Sequence, residues 1–207
     1  MYARTTTVRG DPSAMDEGIA HVRDVTWAEL QHMSGCVGLS MLAERDTGRC
    51  IVTTAWATDE AMRAAAEDVK DLRRGAAEAL RAERVDVEEW EIAVLHRVHP
   101  AGDGACARVI WAETPSGNLD QVIDAYRMDL MPRLEDLPGF CSVSMMVDRM
   151  TGRAATAVTY ADRDAMMRAS DMASAMREEF SQAMGARITE VAEFDLVLAH
   201  LRVPEMA

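Results

Sequence analysis

The chain has 207 residues, of which 49% are hydrophobic and 28% charged, a composition typical of a folded globular protein. It carries 22 Lys and Arg against 35 Asp and Glu, and the resulting formal net charge of −13 would repel a nucleic-acid backbone. No apolar run approaches the roughly 18 residues of a membrane-spanning helix, and the start MYARTTTVRGDPS lacks a signal-peptide core. We therefore expect a cytoplasmic protein that binds neither nucleic acid nor membranes.

The chain contains two copies of one sequence unit. The segment GCVGLSMLAERDTGRCIVTTAWATDEAM at 35–62 matches GFCSVSMMVDRMTGRAATAVTYADRDAM at 139–166, and the offset of 104 holds without a gap from Ala3/Ala107 to Arg97/Leu201. This alignment contains 23 identities in 95 positions. A repeat of this length has the size of a domain and is longer than a solenoid unit. We expect a first repeat at 1–97, a linker at 98–105 and a second repeat at 106–207.

Each repeat begins with a strand and a helix. Tyr2–Arg9 and Cys106–Glu113 are rich in β-branched residues, which favours strands. The apolar spacing that follows predicts an amphipathic helix in both copies, at Met15, Ile19, Val22 and Thr26 and again at Leu119, Ile123, Tyr126 and Leu130. Ser13 and Asn118 are candidate N-caps, and Pro132 is expected to bend or end the second copy's helix.

The rest of each repeat predicts a hairpin, a helix and a last strand. Residues 36–44 and 49–57 alternate around the turn DTGR, as do 140–148 and 153–161 around MTGR. Helical stripes follow from Asp59 and Asp162, and strands are expected at 87–96 and 191–200. Each copy is therefore predicted to have the element order βαββαβ, which is that of the ferredoxin-like unit.

A four-stranded sheet with both helices on one face leaves its other face bare, and two such sheets can bury these faces together. In the second strand, Leu39 and Met41 belong to the side expected beneath the helices, whereas Ser40 belongs to a mixed side that can line a cavity. The sequence thus predicts an α+β fold in which two tandem ferredoxin-like βαββαβ repeats form an intramolecular pseudo-dimeric α+β barrel. Association of this pseudo-dimer into a homo-oligomer is compatible with the sequence.

The string from Gly35 through the hairpin to AWATDEAM, and LPGFCSVSMMVDRMTGRAATAVTYADRDAM in the second copy, resemble the antibiotic biosynthesis monooxygenase (ABM) group of the dimeric α+β barrel superfamily. The resemblance implies a cofactor-independent monooxygenase acting on a small aromatic or polyketide-type substrate in an apolar barrel cavity. Such a site needs an aromatic wall, hydrogen-bond donors and a base. The candidates are walls at Trp56 and Tyr160, donors at Ser40, Ser144, Thr54 and Thr156, and bases at His96 and His200.

Three other interpretations remain open. The site residues have structural explanations, since a histidine that ends a strand often contacts a neighbouring element and Trp56 and Tyr160 can be packing residues. The chain can instead be a non-catalytic binder of a small apolar or aromatic molecule. Haem degradation, which other relatives perform, is disfavoured because 59–84 and 163–187 contain no histidine to ligate iron.

The remaining reactive residues form no familiar site. Cys36, Cys50, Cys106 and Cys141 contain no CxxC pair, which favours reduced thiols in or near strands. The five histidines form no HExxH motif, and the chain contains no GxSxG, GxGxxG or P-loop pattern. We expect neither a metal nor a cofactor.

Overall fold

The computed structural model describes residues 1–201, with Ser116 and Leu201 described by their backbone alone. The first repeat contains, in chain order, β1 (Tyr2–Arg9), α1 (Met15–His21), α2 (Trp27–Leu30), β2 (Cys36–Glu44), β3 (Arg49–Trp56), α3 (Asp59–Ala64), α4 (Ala66–Ala79) and β4 (Arg84–Arg97). The second contains β5 (Cys106–Glu113), α5 (Leu119–Ala125), α6 (Met131–Glu135), β6 (Phe140–Asp148), β7 (Arg153–Tyr160), α7 (Arg163–Arg168), α8 (Ser170–Met184) and β8 (Arg187–Leu201). Both repeats have the predicted βαββαβ order.

The chain divides into two compact units whose limits differ from those of the repeats. Within the described residues, unit 1 contains Met1–Trp90 and 195–201, and unit 2 contains Glu91–Phe194. The limits fall inside β4 and β8, so each of these strands contributes one half to each unit. The predicted repeats at 1–97 and 106–207 follow the duplication in the sequence, whereas the units follow the pairing of strands.

In unit 1 the sheet is antiparallel around the hairpin of β2 and β3. Strand β1 pairs with β3, with Tyr2 opposite Trp56, and β2 pairs with the second half of β8, with Leu39 opposite His200. The helix-facing core contains Leu39 and Met41 together with side chains of α1 and α4. Alternation in β2 therefore places its apolar side beneath the helices, as the sequence predicts.

Unit 2 repeats this arrangement with β5, β6 and β7. Cys106 on β5 lies opposite Tyr160 on β7, and β6 pairs with the second half of β4, with Val143 opposite His96. Within unit 1 the strands follow the order β1-β3-β2-β8, and within unit 2 the order β5-β7-β6-β4. The predicted α+β class and its two βαββαβ halves are confirmed.

The first helix of each repeat departs from its prediction. A π-helical turn separates the two α-helical parts, at Val22–Thr26 in one repeat and at Tyr126–Leu130 in the other. Pro132 neither ends the helix nor accounts for the turn, because α6 continues to Glu135 and the first repeat has the same turn without a proline. Within residues 1–201, no helix is both long enough and apolar enough to cross a membrane.

Of the two predicted N-caps, Ser13 is corrected and Asn118 is found at the predicted position. The carboxylate of Asp11 accepts a hydrogen bond from the backbone N–H of Ser13 at 2.8 Å and so caps a short 3-10 turn, Pro12–Ala14, that precedes α1. Ala14 holds the N-cap position of α1 itself, and Asn118 holds that of α5 without a side-chain hydrogen bond. The extra turn displaces Ser13 from the helix end and makes Asp11 the capping residue.

Gly48 in the hairpin between β2 and β3 is required by both its conformation and its surroundings. Its φ is +72°, and a Cβ built on it would lie 2.1 Å from the carbonyl oxygen of Gly10. We expect Gly48→Ala to lower the free energy of unfolding by about 2 kcal/mol, because the left-handed conformation and a backbone clash both oppose a side chain. Urea denaturation measures the change. Gly102→Ala, where a Cβ would meet no atom within 4 Å, is the control and should leave stability unchanged; equal stability of both variants would contradict the prediction.

Candidate functional site

Unit 2 contains a cavity of about 90 Å³ between its sheet and its helices. Strands β5 and β7 form the floor, and α5, the π-helical turn after it and α8 form the roof. The side chains that enclose it are mainly apolar, among them Ile110, Ala112, Val122, Val158, Ala173 and Met176. Several of them on β5 and α8 are half-exposed, so the cavity opens to solvent between this strand and this helix. The arrangement suits a small apolar molecule.

Two aromatic side chains form one wall of the cavity. Tyr126 and Phe180 meet edge to face, with ring centroids 5.7 Å apart and planes at 86°. Tyr126 begins the π-helical turn, and such turns widen a helix and are frequent at functional sites. Burial raises the pKa of Tyr126 well above its usual value of 10, so this wall carries a neutral hydroxyl at ordinary pH.

The polar end of the cavity contains two arginines. Arg108 on β5 is only 4% exposed, and its Nε and Nη2 donate to Oε1 of Glu193 at 3.2 and 2.7 Å. Arg177 on α8 donates from Nη2 to the hydroxyl of Ser174 at 2.9 Å. Burial, followed by the positive charge of Arg108, lowers the pKa of Arg177. Arg108 and Arg177 therefore bring two guanidinium groups to this end of the cavity, and guanidinium groups favour an anionic ligand.

Tyr160 lies at the same end of the cavity and is 1% exposed. Burial raises its pKa, and the charge of Arg108 opposes this effect without cancelling it. The phenol therefore stays protonated and can donate a hydrogen bond to a ligand oxygen. Together, Arg108, Arg177 and Tyr160 can surround a negatively charged oxygen at the end of an apolar cavity.

Comparison with known proteins places this architecture in a family. The family model for antibiotic biosynthesis monooxygenases matches residues 1–82. The uncharacterized protein Rv2558 of Mycobacterium tuberculosis H37Rv is 48% identical over 207 residues, covering 100% of this chain and 87% of its own. The chain belongs to the antibiotic biosynthesis monooxygenase (ABM) family.

Solved structures share the fold of this ABM protein over nearly its whole length. A candidate monooxygenase from Lactobacillus acidophilus superposes with a TM-score of 0.71 at 11% identity, covering 97% of this chain and 96% of its own. An anthrone oxidase-like protein superposes with a TM-score of 0.65 at 12% identity, covering 100% and 95%. At these identities the likeness concerns the fold alone.

The aromatic and threonine candidates lie in the corresponding cores of the two units. Tyr160 and Thr156 line the cavity of unit 2. Trp56 and Thr54 lie in the core of unit 1, where the indole Nε1 donates to the Thr54 hydroxyl at 3.1 Å and that hydroxyl donates to the Arg4 carbonyl at 3.3 Å. Trp56 is fully buried among apolar side chains, so it contributes packing there.

The serine candidates lie on the other side of their strands. Ser40 and Ser144 each precede a methionine, Met41 or Met145, that belongs to the helix-facing core. Because successive side chains of a strand point to opposite faces, the two serines face away from the helices. They therefore do not join Tyr160 and Thr156 at the cavity.

The two histidines have different surroundings although they occupy equivalent positions. His96 Nε2 lies 2.9 Å from Oε1 of Glu135 at the end of α6, whereas the ring of His200 stacks on Trp27, with centroids 4.9 Å apart and planes at 5°. Neither belongs to the lining of the unit 2 cavity. Across residues 1–201, no three His, Cys, Asp or Glu side chains group together as metal ligands would.

Sequence reasoning missed the residues that give this cavity its chemistry, Arg108, Arg177, Tyr126 and Phe180. One signal was available for the arginines: Arg108 occupies an otherwise apolar segment, CARVIWAE, predicted to be a strand. A charged residue inside such a segment needs a buried partner or a function. Arg177 had no comparable signal, since an arginine on an amphipathic helix is ordinarily solvated.

Proposed function

We propose that unit 2 binds a small aromatic phenol as its anion and that the ABM protein directs the reaction of this anion with O2 without a cofactor. The observation that carries the proposal is the pair Arg108 and Arg177 at the end of an apolar cavity. Membership of the ABM family and a fold shared with an anthrone oxidase-like protein support it.

The reaction needs stabilisation of an anion more than it needs protein nucleophiles. For an anthrone-type substrate, loss of one methylene proton gives a phenolate-like anion whose negative charge is shared between the oxygen and that ring carbon. The carbon then forms a bond to O2, and the resulting peroxide takes up a proton to give a hydroperoxide. Loss of water then leaves a ketone: one oxygen atom stays in the product and the other departs as water with the two methylene hydrogens. The substrate loses four electrons and O2 gains four, so no further reductant is needed.

The cavity residues fit these steps. Arg108, Arg177 and the Tyr160 hydroxyl would stabilise the phenolate oxygen and so lower the pKa of the bound substrate. Its proton passes to water through the open mouth. A cavity of about 90 Å³ is smaller than the roughly 150 Å³ that holds a benzene molecule in an engineered core, so a larger ring system must extend through the mouth.

A non-catalytic binding protein is the second candidate, and one observation favours it. Among the described residues, Glu113 is the only carboxylate of the cavity lining; it lies on the exposed rim and pairs with Arg187. The interior of the lining therefore offers no general base. A ligand that is already anionic in solution would bind to such a site without reacting.

Oxygen uptake with anthrone tests the proposed reaction, with heat-denatured protein measuring spontaneous oxidation. We expect Arg177→Met to lower kcat/KM by about tenfold to a hundredfold, because one donor to the phenolate is lost. Its activity should recover toward higher pH, since the remaining site lowers the substrate pKa less. The matched control is Arg73→Met, the equivalent substitution in unit 1, which should leave uptake unchanged.

The outcomes separate the two candidates. Uptake no faster than with denatured protein, together with tight binding of an aromatic acid that depends on Arg177, would establish a binding protein. Uptake that is equally fast in wild type and Arg177→Met would remove the unit 2 cavity as the place of reaction.

A further inference from the structure

In the apolar part of the unit 1 core, side chains occupy the place where unit 2 has its cavity. Leu80 is fully buried and lies directly on α1, because a Cβ built on Gly18 would be 2.2 Å from Leu80 Cδ2. The equivalent residues in unit 2 are Val122, which lines the cavity, and Met184, which is half-exposed. Trp56 adds a further large, fully buried side chain to the unit 1 core.

The polar part of the same core is retained in unit 1. Arg4, Arg73 and Glu89 hold the positions of Arg108, Arg177 and Glu193. Arg4 is 3% exposed; its Nε and Nη2 donate to Oε1 of Glu89 at 3.0 and 2.6 Å, and Nη2 also donates to the carbonyl oxygen of Met62 at 3.2 Å. A charged group is therefore held in a core that has no room for an aromatic ligand.

Two donors of this cluster are buried without a hydrogen-bond partner among the described residues. They are Nη1 of Arg4 and Nε of Arg73. A buried cationic donor without an acceptor is costly, and two of them on neighbouring arginines compound the cost. Burial and the Arg4 charge lower the pKa of Arg73. The carboxylate of Glu89 compensates one of the two positive charges and leaves the other.

We propose that unit 1 binds a small inorganic oxyanion, such as phosphate or sulfate, at Arg4 and Arg73. Its oxygens accept hydrogen bonds from Arg4 Nη1 and Arg73 Nε, as arginine forks commonly bind tetrahedral oxyanions. The filled core around Trp56 and Leu80 rejects an anion that carries an aromatic ring. The two repeats thus share one arginine pair and differ in what they bind: a bare oxyanion in unit 1 and an aromatic anion in unit 2.

Thermal unfolding of the full chain in inorganic phosphate tests the proposal, with chloride at matched ionic strength as reference. For a Kd of about 1 mM we expect about 20 mM phosphate to raise the Tm by roughly 3–6 °C. Arg73→Leu should abolish this rise, whereas Arg177→Leu, the equivalent change in unit 2, should retain it. Benzoate should show the reverse dependence, on Arg177 and not on Arg73.

A Tm rise that is no larger than in chloride, or one that Arg73→Leu leaves intact, would overturn the oxyanion site. If Arg73→Leu fails to fold, crystals of the wild-type chain grown with selenate provide the second measurement. An anomalous peak within hydrogen-bond distance of Arg4 Nη1 supports the site, and its absence at saturating selenate contradicts it. Because these measurements involve no turnover, their outcome is independent of the proposed oxygenase activity.

Discussion

The double substitution Ala112→Val and Ala173→Val is expected to abolish binding and turnover in unit 2, a loss of more than about a hundredfold, while the chain stays folded. Both alanines line the cavity, and unit 1 has valines at the equivalent positions, Val8 and Val69, each nearly fully buried. Four added methyl groups would occupy most of a cavity of about 90 Å³. Losing a pocket removes far more ligand affinity than the 1–3 kcal/mol of one methylene mismatch.

Isothermal titration with benzoate and oxygen uptake with anthrone measure this effect. The free energy of unfolding should stay the same or rise slightly, because filling a cavity is stabilising when the side chains fit. The reverse pair, Val8→Ala with Val69→Ala, is the control: it should lower stability and leave ligand binding in unit 2 unchanged. Undiminished binding in the Ala112→Val, Ala173→Val variant would show that the ligand binds elsewhere.

Trp56→Ala is expected to lower the free energy of unfolding by about 3–5 kcal/mol, as removal of a fully buried indole does in other cores. The substitution would leave a large void beneath the helices of unit 1 and would also remove the hydrogen bond from the indole to the Thr54 hydroxyl. Urea denaturation measures the loss, with an unchanged m-value as the check that the transition remains two-state.

A second substitution of Trp56 tests whether this aromatic candidate of unit 1 takes part in catalysis. Trp56→Phe keeps most of the packing, so it should cost less stability than Trp56→Ala and retain full oxygen uptake. Trp27→Ala is the control at a half-exposed indole, where we expect a smaller loss of stability. A Trp56→Phe variant that is stable but inactive would show that Trp56 contacts substrate and that unit 1 takes part in the reaction.

Local patterns in the sequence were sufficient to predict the helices and strands and their order. The hairpin at Gly48 follows from alternation on both sides of a glycine with positive φ, and two copies of each element gave two independent indications. The helix ends were harder, because Asp11 caps an extra 3-10 turn and a π-helical turn at Val22–Thr26 interrupts the helical period. Such turns depend on packing against the sheet, which the periodicity of one segment does not contain.

The candidate site was only partly predictable. Tyr160 and Thr156 were identified, and both line the cavity, but Ser144 of the same predicted set faces the opposite side of the sheet. The alternation of side chains along a strand assigns residues to the two faces of the sheet. It does not show on which face a cavity remains. The space depends on the volumes of side chains that meet from distant segments, such as Ala112 on β5 and Ala173 on α8.

The sequence by itself determined the duplication and the βαββαβ order, because these follow from identities at a fixed offset and from short-range periodicity. The ABM family was indicated by the resemblance of 35–62 and of its copy at 139–166 to that family. The tertiary structure alone decided that β4 and β8 divide between two compact units, that Leu80 fills one core, and that Arg108 and Arg177 meet at a cavity in the other. The physical reason is that strand pairing and residual volume arise between segments far apart in the chain, and two repeats with one pattern can pack to different densities.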